Sequence, residues 1–335
     1  MGKIKMIIIG ATGSGYKRTI PGVKESNLCE VTAIQGRNEE KLSKICKEFN
    51  IGRYYTDTFE MLSKEEFDLI YIANPPFMHY ESINEAVKTG KAIICEKPLA
   101  SDYSNALKIQ DLLKDYTAPF MVAHHLRHQK AYDDIKKIIK DGKIGQVEYV
   151  HFQWGFHLNT DAANAKWKLD ETLGGGGTFS DNGVHIVDFA IGLFGKPEGV
   201  YGHCFREEFE QVYDNETAML CYKNNTVILN SSQNMYSPGN HLLIYGTEGK
   251  IESFSALGEK SITKLIVTQR NNEEVIDYSV SHLYGAEVEN FIRHYFLNDI
   301  DANAGTTLED ALLSLKIIDL VRKAHNSKRY YSLNE

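Results

Sequence analysis

The sequence predicts an α/β fold in two parts. The first is an N-terminal Rossmann domain with a doubly wound parallel sheet. The second is an α+β domain built on a large, mostly antiparallel open sheet. Three observations predict this. Short apolar runs at 4–9, 30–35, 69–73, 92–95 and 120–123 alternate with helical patterns, as in parallel βαβ units. The first four runs end in the Gly10 loop, Gly36-Arg37, Asn74-Pro75-Pro76 and Glu96-Lys97-Pro98, and ligands of such sheets bind beyond the carboxyl ends of the strands. From Gln146 onwards strand-like runs follow one another with few helices between them, which predicts antiparallel pairing with one open face. A chain of 335 residues suits two domains. They are expected at 1–124 and 125–335, with a C-terminal helix that can pack back on the first.

Residues 4–9, IKMIII, form a continuous apolar run suited to a buried parallel strand. Gly10, Thr12, Gly13, Ser14 and Gly15 then make a glycine-rich turn. Between a strand and a helix, such a turn lets backbone N–H groups meet a pyrophosphate. The spacing is G-x-x-G-x-G, with Thr12 where the usual fingerprint has its second glycine, so a plain tight turn is the alternative. The strand at 30–35 ends in Gln35, Gly36 and Arg37, and a helix over 39–49 follows. An acidic residue here would bind the ribose hydroxyl of NAD. Its absence, with Arg37 able to pair with a 2′-phosphate, favours NADP over NAD; the alternative is a solvated loop charge. The strand at 69–73 leads to Asn74, Pro75, Pro76 and His79, then a helix that Gly90 ends. The run 92–95 leads to Glu96, Lys97 and Pro98. Ser101 is expected to cap a helix over 102–114, and a strand at 120–123 closes the unit.

In His124-His125-Leu126-Arg127-His128, His124 and His128 would share a helical face, but no Cys or acidic partner has ligand spacing, and no metal is expected. A helix over 130–140 follows. Strands are expected at 146–154, 199–208, 217–222, 225–233, 241–246 and 264–270, with turns at Asn224-Asn225 and Thr247-Glu248-Gly249. Helices near 286–297 and 308–323 end the chain. A large open sheet face must be covered, so a homodimer or homotetramer through it is expected. Gly174 to Gly177 lead into Asp181, Asn182, Gly183, His185 and Asp188. A helix starting near Asp181 would put Asp181 and His185 on one face. This stretch reads either as a capping aspartate, a buried histidine and a flexible loop, or as a site.

The net charge of −8 argues against a nucleic-acid or anionic-membrane surface. No apolar run reaches the length of a membrane span. Five scattered cysteines fit reduced thiols and a cytoplasmic location. Lys97 is the sharpest single residue. At a strand end beside a dinucleotide it can exchange a proton with the oxygen of an alcohol or carbonyl; in isolation, a surface lysine paired with Glu96 is the alternative. His185 can relay a proton near neutral pH, and Asp181 can orient it or bind a substrate hydroxyl.

The stretches IIIGATGSG, IANPPFMH, AVKTGKAIICEKPLA, GGGGTFSDNGVHIVDFAIGLFG and IYGTEGKIE resemble the Gfo/Idh/MocA family, the glucose–fructose oxidoreductase and inositol dehydrogenase group. They span nearly the whole chain in the family's order. The resemblance implies NAD(P)-dependent oxidation or reduction of sugars, polyols or related small molecules. It also implies oligomerisation through the open sheet. By position, Lys97 resembles the catalytic lysine of an EKP motif, and Asp181 and His185 the substrate-binding and catalytic pair. Pro75, His79 and Glu96 fall in cofactor-contacting segments. Trp167 and Lys168 match a segment that often lines the substrate pocket, and Arg127 matches an arginine common in the family. Thr12 and Gly36 depart from the family pattern, and Gly36 agrees with NADP. A non-catalytic NAD(P)-sensing regulator and an NAD-dependent glycoside-cleaving enzyme are the other readings the resemblance leaves open.

Overall fold

A computed structural model describes residues 2–161, 165–236, 239–254 and 256–334. The chain divides into two compact units, residues 1–128 with 282–312, and residues 129–281 with 313–335. A single cut at 124 therefore leaves out one segment: 282–312, expected in the second domain, groups with the first. The reason is apolar packing. Val288, Phe291 and Ile292 of the helix Leu283–Phe296 lie in the same buried cluster as Met6, Ile8, Ile20, Val23, Leu69 and Tyr71.

The first unit holds six parallel strands: β1 (Ile4–Ile9), β2 (Cys29–Gln35), β3 (Arg53–Tyr55), β4 (Leu69–Ile72), β5 (Ala92–Glu96) and β6 (Phe120–Ala123). Their order is β3-β2-β1-β4-β5-β6, the doubly wound arrangement whose topological switch lies between β1 and β4. All four β4 residues and all five of β5 are buried, as strands covered on both faces must be. Asp102, not Ser101, caps the helix Tyr103–Leu112; its carboxylate accepts from Asn105 N at 2.8 Å. An ionised acceptor at a helix N-terminus outcompetes a hydroxyl one residue earlier.

The second unit holds a nine-stranded sheet. Its strands are β7 (Val147–Gly155), β8 (Gly199–Phe205), β9 (Asn215–Cys221), β10 (Thr226–Ser232), β11 (His241–Gly246), β12 (Gly249–Phe254), β13 (Lys264–Gln269), β14 (Asn272–Asp277) and β15 (Tyr331–Ser332). The order is β14-β13-β12-β11-β7-β10-β9-β8-β15, and only β7 and β10 pair in parallel. One face is buried. Phe152 of β7 meets Phe189 of the helix Val184–Phe194, and Phe189 meets Tyr132 of the helix Lys130–Lys140, both edge-on. The other face carries Tyr149, Tyr201, Tyr245 and Phe254, all exposed.

Candidate active site

The nucleotide loops of the first unit gather at the carboxyl ends of β1, β2, β4 and β5. Gly10 takes a left-handed φ of 79°. A Cβ there would fall 2.6 Å from Asn74 N, so only glycine lets the β1 loop lie against the end of β4. A wide helical turn, Ala11–Thr19, follows and continues into the helix Ile20–Lys24; it is interrupted at the exposed Gly13. Gln35 holds the loop from the side. Its Oε1 accepts from Gly10 N at 3.2 Å and its Nε2 donates to Thr56 O at 3.1 Å. Thr12 and Gly36 are neighbours: a Cβ on residue 36 would lie 3.0 Å from Thr12 Cγ2 and 3.3 Å from Leu42 Cδ2. The two departures from the usual fingerprint thus occupy one place, and the threonine methyl fills space that an acidic side chain at 36 would enter. Arg37 beside them is exposed.

Asn74 Nδ2 donates to Ser82 Oγ at 2.6 Å, while its buried Oδ1 has no hydrogen-bond partner among the described residues. His79 is fully buried between two carbonyls, with Nε2 2.9 Å from Asn74 O and Nδ1 3.1 Å from Leu99 O. It therefore ties the loop after β4 to the loop after β5. Burial lowers its pKa, and the carbonyl contacts oppose that shift. Pro75 and Pro76 open a short turn between Asn74 and His79.

Lys97 follows directly on β5 and is half-buried. Glu96 before it is a buried anchor. Its carboxylate accepts from Tyr71 Oη at 3.0 Å, Ser14 Oγ at 3.3 Å and Lys97 N at 3.3 Å. Tyr71 Oη also lies 3.3 Å from Glu287 Oε1, on the returning helix. Burial, with the charges of Glu96 and Glu287, pushes the Tyr71 pKa well up and keeps it a donor. The exposed glycine turn, the bare amide oxygen of Asn74 and the Ser14–Glu96 contact suit a dinucleotide lying across these loops.

Residues 125–127 form one tight turn, so His124 and His128 do not share a regular helical face. Arg127 pairs with Asp310 at 2.7 Å. His128 Nδ1 accepts from Asn290 Nδ2 at 3.2 Å. Among the described residues no cluster of three His, Cys, Asp or Glu could hold a metal.

In the second unit, Gly175, Gly176 and Gly177 all have positive φ. A Cβ on Gly177 would fall 2.4 Å from Tyr213 O. The loop is held by Arg322, whose Nε and Nη2 meet Glu216 at 2.8 and 3.2 Å and whose Nη1 donates to Gly175 O. Arg322 Nη2 also donates to Ser180 Oγ at 3.2 Å, and Glu216 accepts from Phe179 N at 2.6 Å. A wide turn, Phe179–Gly183, precedes the helix, which starts at Val184 rather than near Asp181. Asp181 sits in that turn. Its Oδ2 accepts from Lys168 Nζ at 2.6 Å and from Gln233 Nε2 at 3.1 Å. His185 is buried and stacks on Trp154, with ring centroids 5.2 Å apart at 19°. Trp167 lies next to the Lys168 ammonium, 5.9 Å from ring centroid to Nζ.

Gly10, Thr12, Gly13, Ser14, Gly15, Gly36, Arg37, Asn74, Pro75, Pro76, His79, Glu96 and Lys97 all belong to the first unit. Trp167, Lys168, Asp181 and His185 belong to the second. In the second unit, Asp181, Lys168 and Trp167 are linked by the contacts above, and His185 is linked to Trp154. Sequence reasoning missed Gln35, Tyr71, Trp154, Glu216, Gln233, Glu287 and Arg322. Only Trp154 carried a signal, as one of two tryptophans.

A doubly wound sheet with a glycine turn after β1 is the architecture of many dinucleotide-binding proteins. Residues 4–124 match the oxidoreductase family with an NAD-binding Rossmann fold, and residues 132–252 match the GFO/IDH/MocA C-terminal domain. The chain belongs to the Gfo/Idh/MocA family and is an NAD(P)-dependent dehydrogenase or reductase. It is 24% identical to a D-xylose 1-dehydrogenase [NADP(+)] of Haloarcula marismortui, over 97% of this chain and 92% of that protein. It is 25% identical to a trans-1,2-dihydrobenzene-1,2-diol dehydrogenase of Xenopus tropicalis, over 90% of each. The fold matches an aldose-aldose oxidoreductase from Caulobacter crescentus complexed with glycerol, with a TM-score of 0.88 at 20% identity, over 99% of this chain and 100% of that one.

Proposed function

We propose that this enzyme is an NADP-preferring oxidoreductase acting at a secondary alcohol or carbonyl of a sugar, polyol or related small molecule. When bound, the nicotinamide supplies the hydride acceptor or donor. Lys97 manages the proton: its amine takes the hydroxyl proton during oxidation and returns it to the carbonyl oxygen during reduction. Glu96 positions Lys97 through the main-chain N–H. His185, held flat against Trp154, passes the proton onward. Asp181, held by Lys168 and Gln233, accepts a substrate hydroxyl. Gly36 and Arg37 support NADP, because no carboxylate opposes a 2′-phosphate and a guanidinium stands ready. The D-xylose relative that uses NADP(+) supports both the cofactor and the substrate class. The exposed aromatic face of the nine-stranded sheet supports a homo-oligomer formed through it.

The observation that carries this reading is Lys97 at the end of β5, braced by a buried carboxylate among dinucleotide loops. Lys97→Met should leave NADPH and NADH affinities within about threefold of wild type and lower turnover at least ~100-fold, the usual scale of general acid–base catalysis. Cofactor fluorescence titration and steady-state rates on a panel of aldoses and polyols measure the two effects. Undiminished turnover in the variant would assign the proton to another group.

A further inference from the structure

Gln233 follows β10 and is fully buried. Its backbone is fixed on both sides: its N–H donates to Asp214 O at 2.9 Å and its carbonyl accepts from Leu158 N at 2.8 Å. Its side-chain Nε2 donates to Asp181 Oδ2 at 3.1 Å. Its Oε1 has no hydrogen-bond partner among the described residues. The amide orientation follows from chemistry, since turning it over would set oxygen against the Asp181 carboxylate, acceptor against acceptor. A buried amide oxygen left bare is costly, and folded proteins keep few of them. This one lies on the amide that grips Asp181, beside a lysine that already balances the aspartate's charge. The place therefore asks for a donor without a charge.

We propose that Gln233 is a substrate-binding residue, whose Oε1 accepts a hydrogen bond from one hydroxyl of a neutral polyhydroxy substrate. This rests on the sugar and polyol reading above and sharpens it. Asp181 and Gln233 then offer two adjacent acceptors, which suits neighbouring hydroxyls. A carboxylate in the same place would face the Gln233 amide oxygen and the Asp181 carboxylate, acceptor against acceptor, while the Lys168 ammonium is already engaged by Asp181, so aldoses and polyols should bind better than the corresponding sugar acids.

The chain supplies its own probe. Its two tryptophans are Trp154, stacked on His185, and Trp167, beside Lys168. Intrinsic fluorescence of the protein saturated with NADP(+), read in the first moments after rapid mixing and before reduced cofactor accumulates, therefore reports occupancy ahead of turnover. The titrants are D-xylose, D-glucose, myo-inositol and D-gluconate, then the monodeoxy analogues of the tightest neutral probe. In Gln233→Met, close in size and lacking the amide, the tightest probe should bind about tenfold more weakly, the scale of one buried hydrogen bond. In wild type, one deoxy analogue should show the same loss, and in the variant that analogue should lose nothing further. Equal binding of the parent probe by both proteins overturns the role of Gln233, as does a parallel loss across all analogues, which is what a merely structural role gives. Failure of wild type to bind any neutral probe, or tighter binding of gluconate, overturns the polyol reading and this inference together.

Discussion

Thr12 and Gly36 show how two residues, each unremarkable in isolation, act as one. The Thr12 methyl stands 3.0 Å from where a side chain at 36 would begin. Gly36→Asp alone should therefore weaken NADPH binding without creating an NADH site. Thr12→Gly with Gly36→Asp should gain NADH affinity beyond the sum of the single changes, as coupled neighbours do; additivity in a fluorescence titration of the four proteins would separate the two positions. His128 makes a second prediction. In the fold it titrates at about 3, because burial disfavours the imidazolium and Arg127 adds like charge. An unfolded histidine titrates near 6.5. Below that pH the unfolded chain binds a proton that the fold refuses. The stability is fully present above 6.5 and falls as pH drops towards 3, by up to about 1.4 kcal/mol per pH unit. His79 and His124 shift in the same direction through burial. Melting temperature should decline between pH 7 and pH 5, and His128→Gln should flatten that decline. An unchanged slope in the variant would place the acid sensitivity elsewhere.

Secondary structure was legible where period and composition agreed. The apolar runs that became β1, β2, β4, β5 and β6 fall within about a residue or two of their strands, because strands buried on both faces leave continuous hydrophobic stretches. HLLIYG is β11 to the residue. The short β3, RYY, and the polar β14, NEEVID, escaped, since an edge strand needs little apolar content. The wide turns at 11–19 and 179–183 escaped for a different reason. Their hydrogen-bonding pattern has no composition of its own. The candidate site was drawn from its charged and glycine residues. It was hidden where its support is a buried pair distant in sequence, as with Glu216 and Arg322. That pair holds the glycine loop and Phe179 at once. Arg322→Met leaves the Glu216 carboxylate buried without its cation. It should cost about 3–5 kcal/mol of stability in denaturant unfolding, with Arg322→Lys in between because the forked geometry is lost. A cost below about 1 kcal/mol would reduce the pair to the standing of a surface contact.

At the scale of the whole chain, the boundary is not one cut but three, because residues 282–312 return to the first unit. Gly22 and Gly285 mark how closely they return: a Cβ on either would fall 2.6 Å from the other's backbone. With Val288, Phe291 and Ile292 removed, the first core loses three nearly fully buried side chains. At about 1.5–3 kcal/mol each, that loss rivals the entire stability of an ordinary domain. A fragment of residues 1–128 should therefore be insoluble or unfolded. The same fragment joined by a flexible linker to residues 282–312 should give a cooperative thermal transition and bind cofactor. Cooperative melting of the short fragment alone would show that the returning helix is dispensable.

That return also sets a clock. On a ribosome adding about 5–20 residues per second, the roughly 150 residues between 128 and 282 separate the two halves of the first core by about 10–30 seconds. Throughout that interval the newborn sheet waits with one apolar flank uncovered, so the cell must shelter a half-built nucleotide domain while the rest of the message is read.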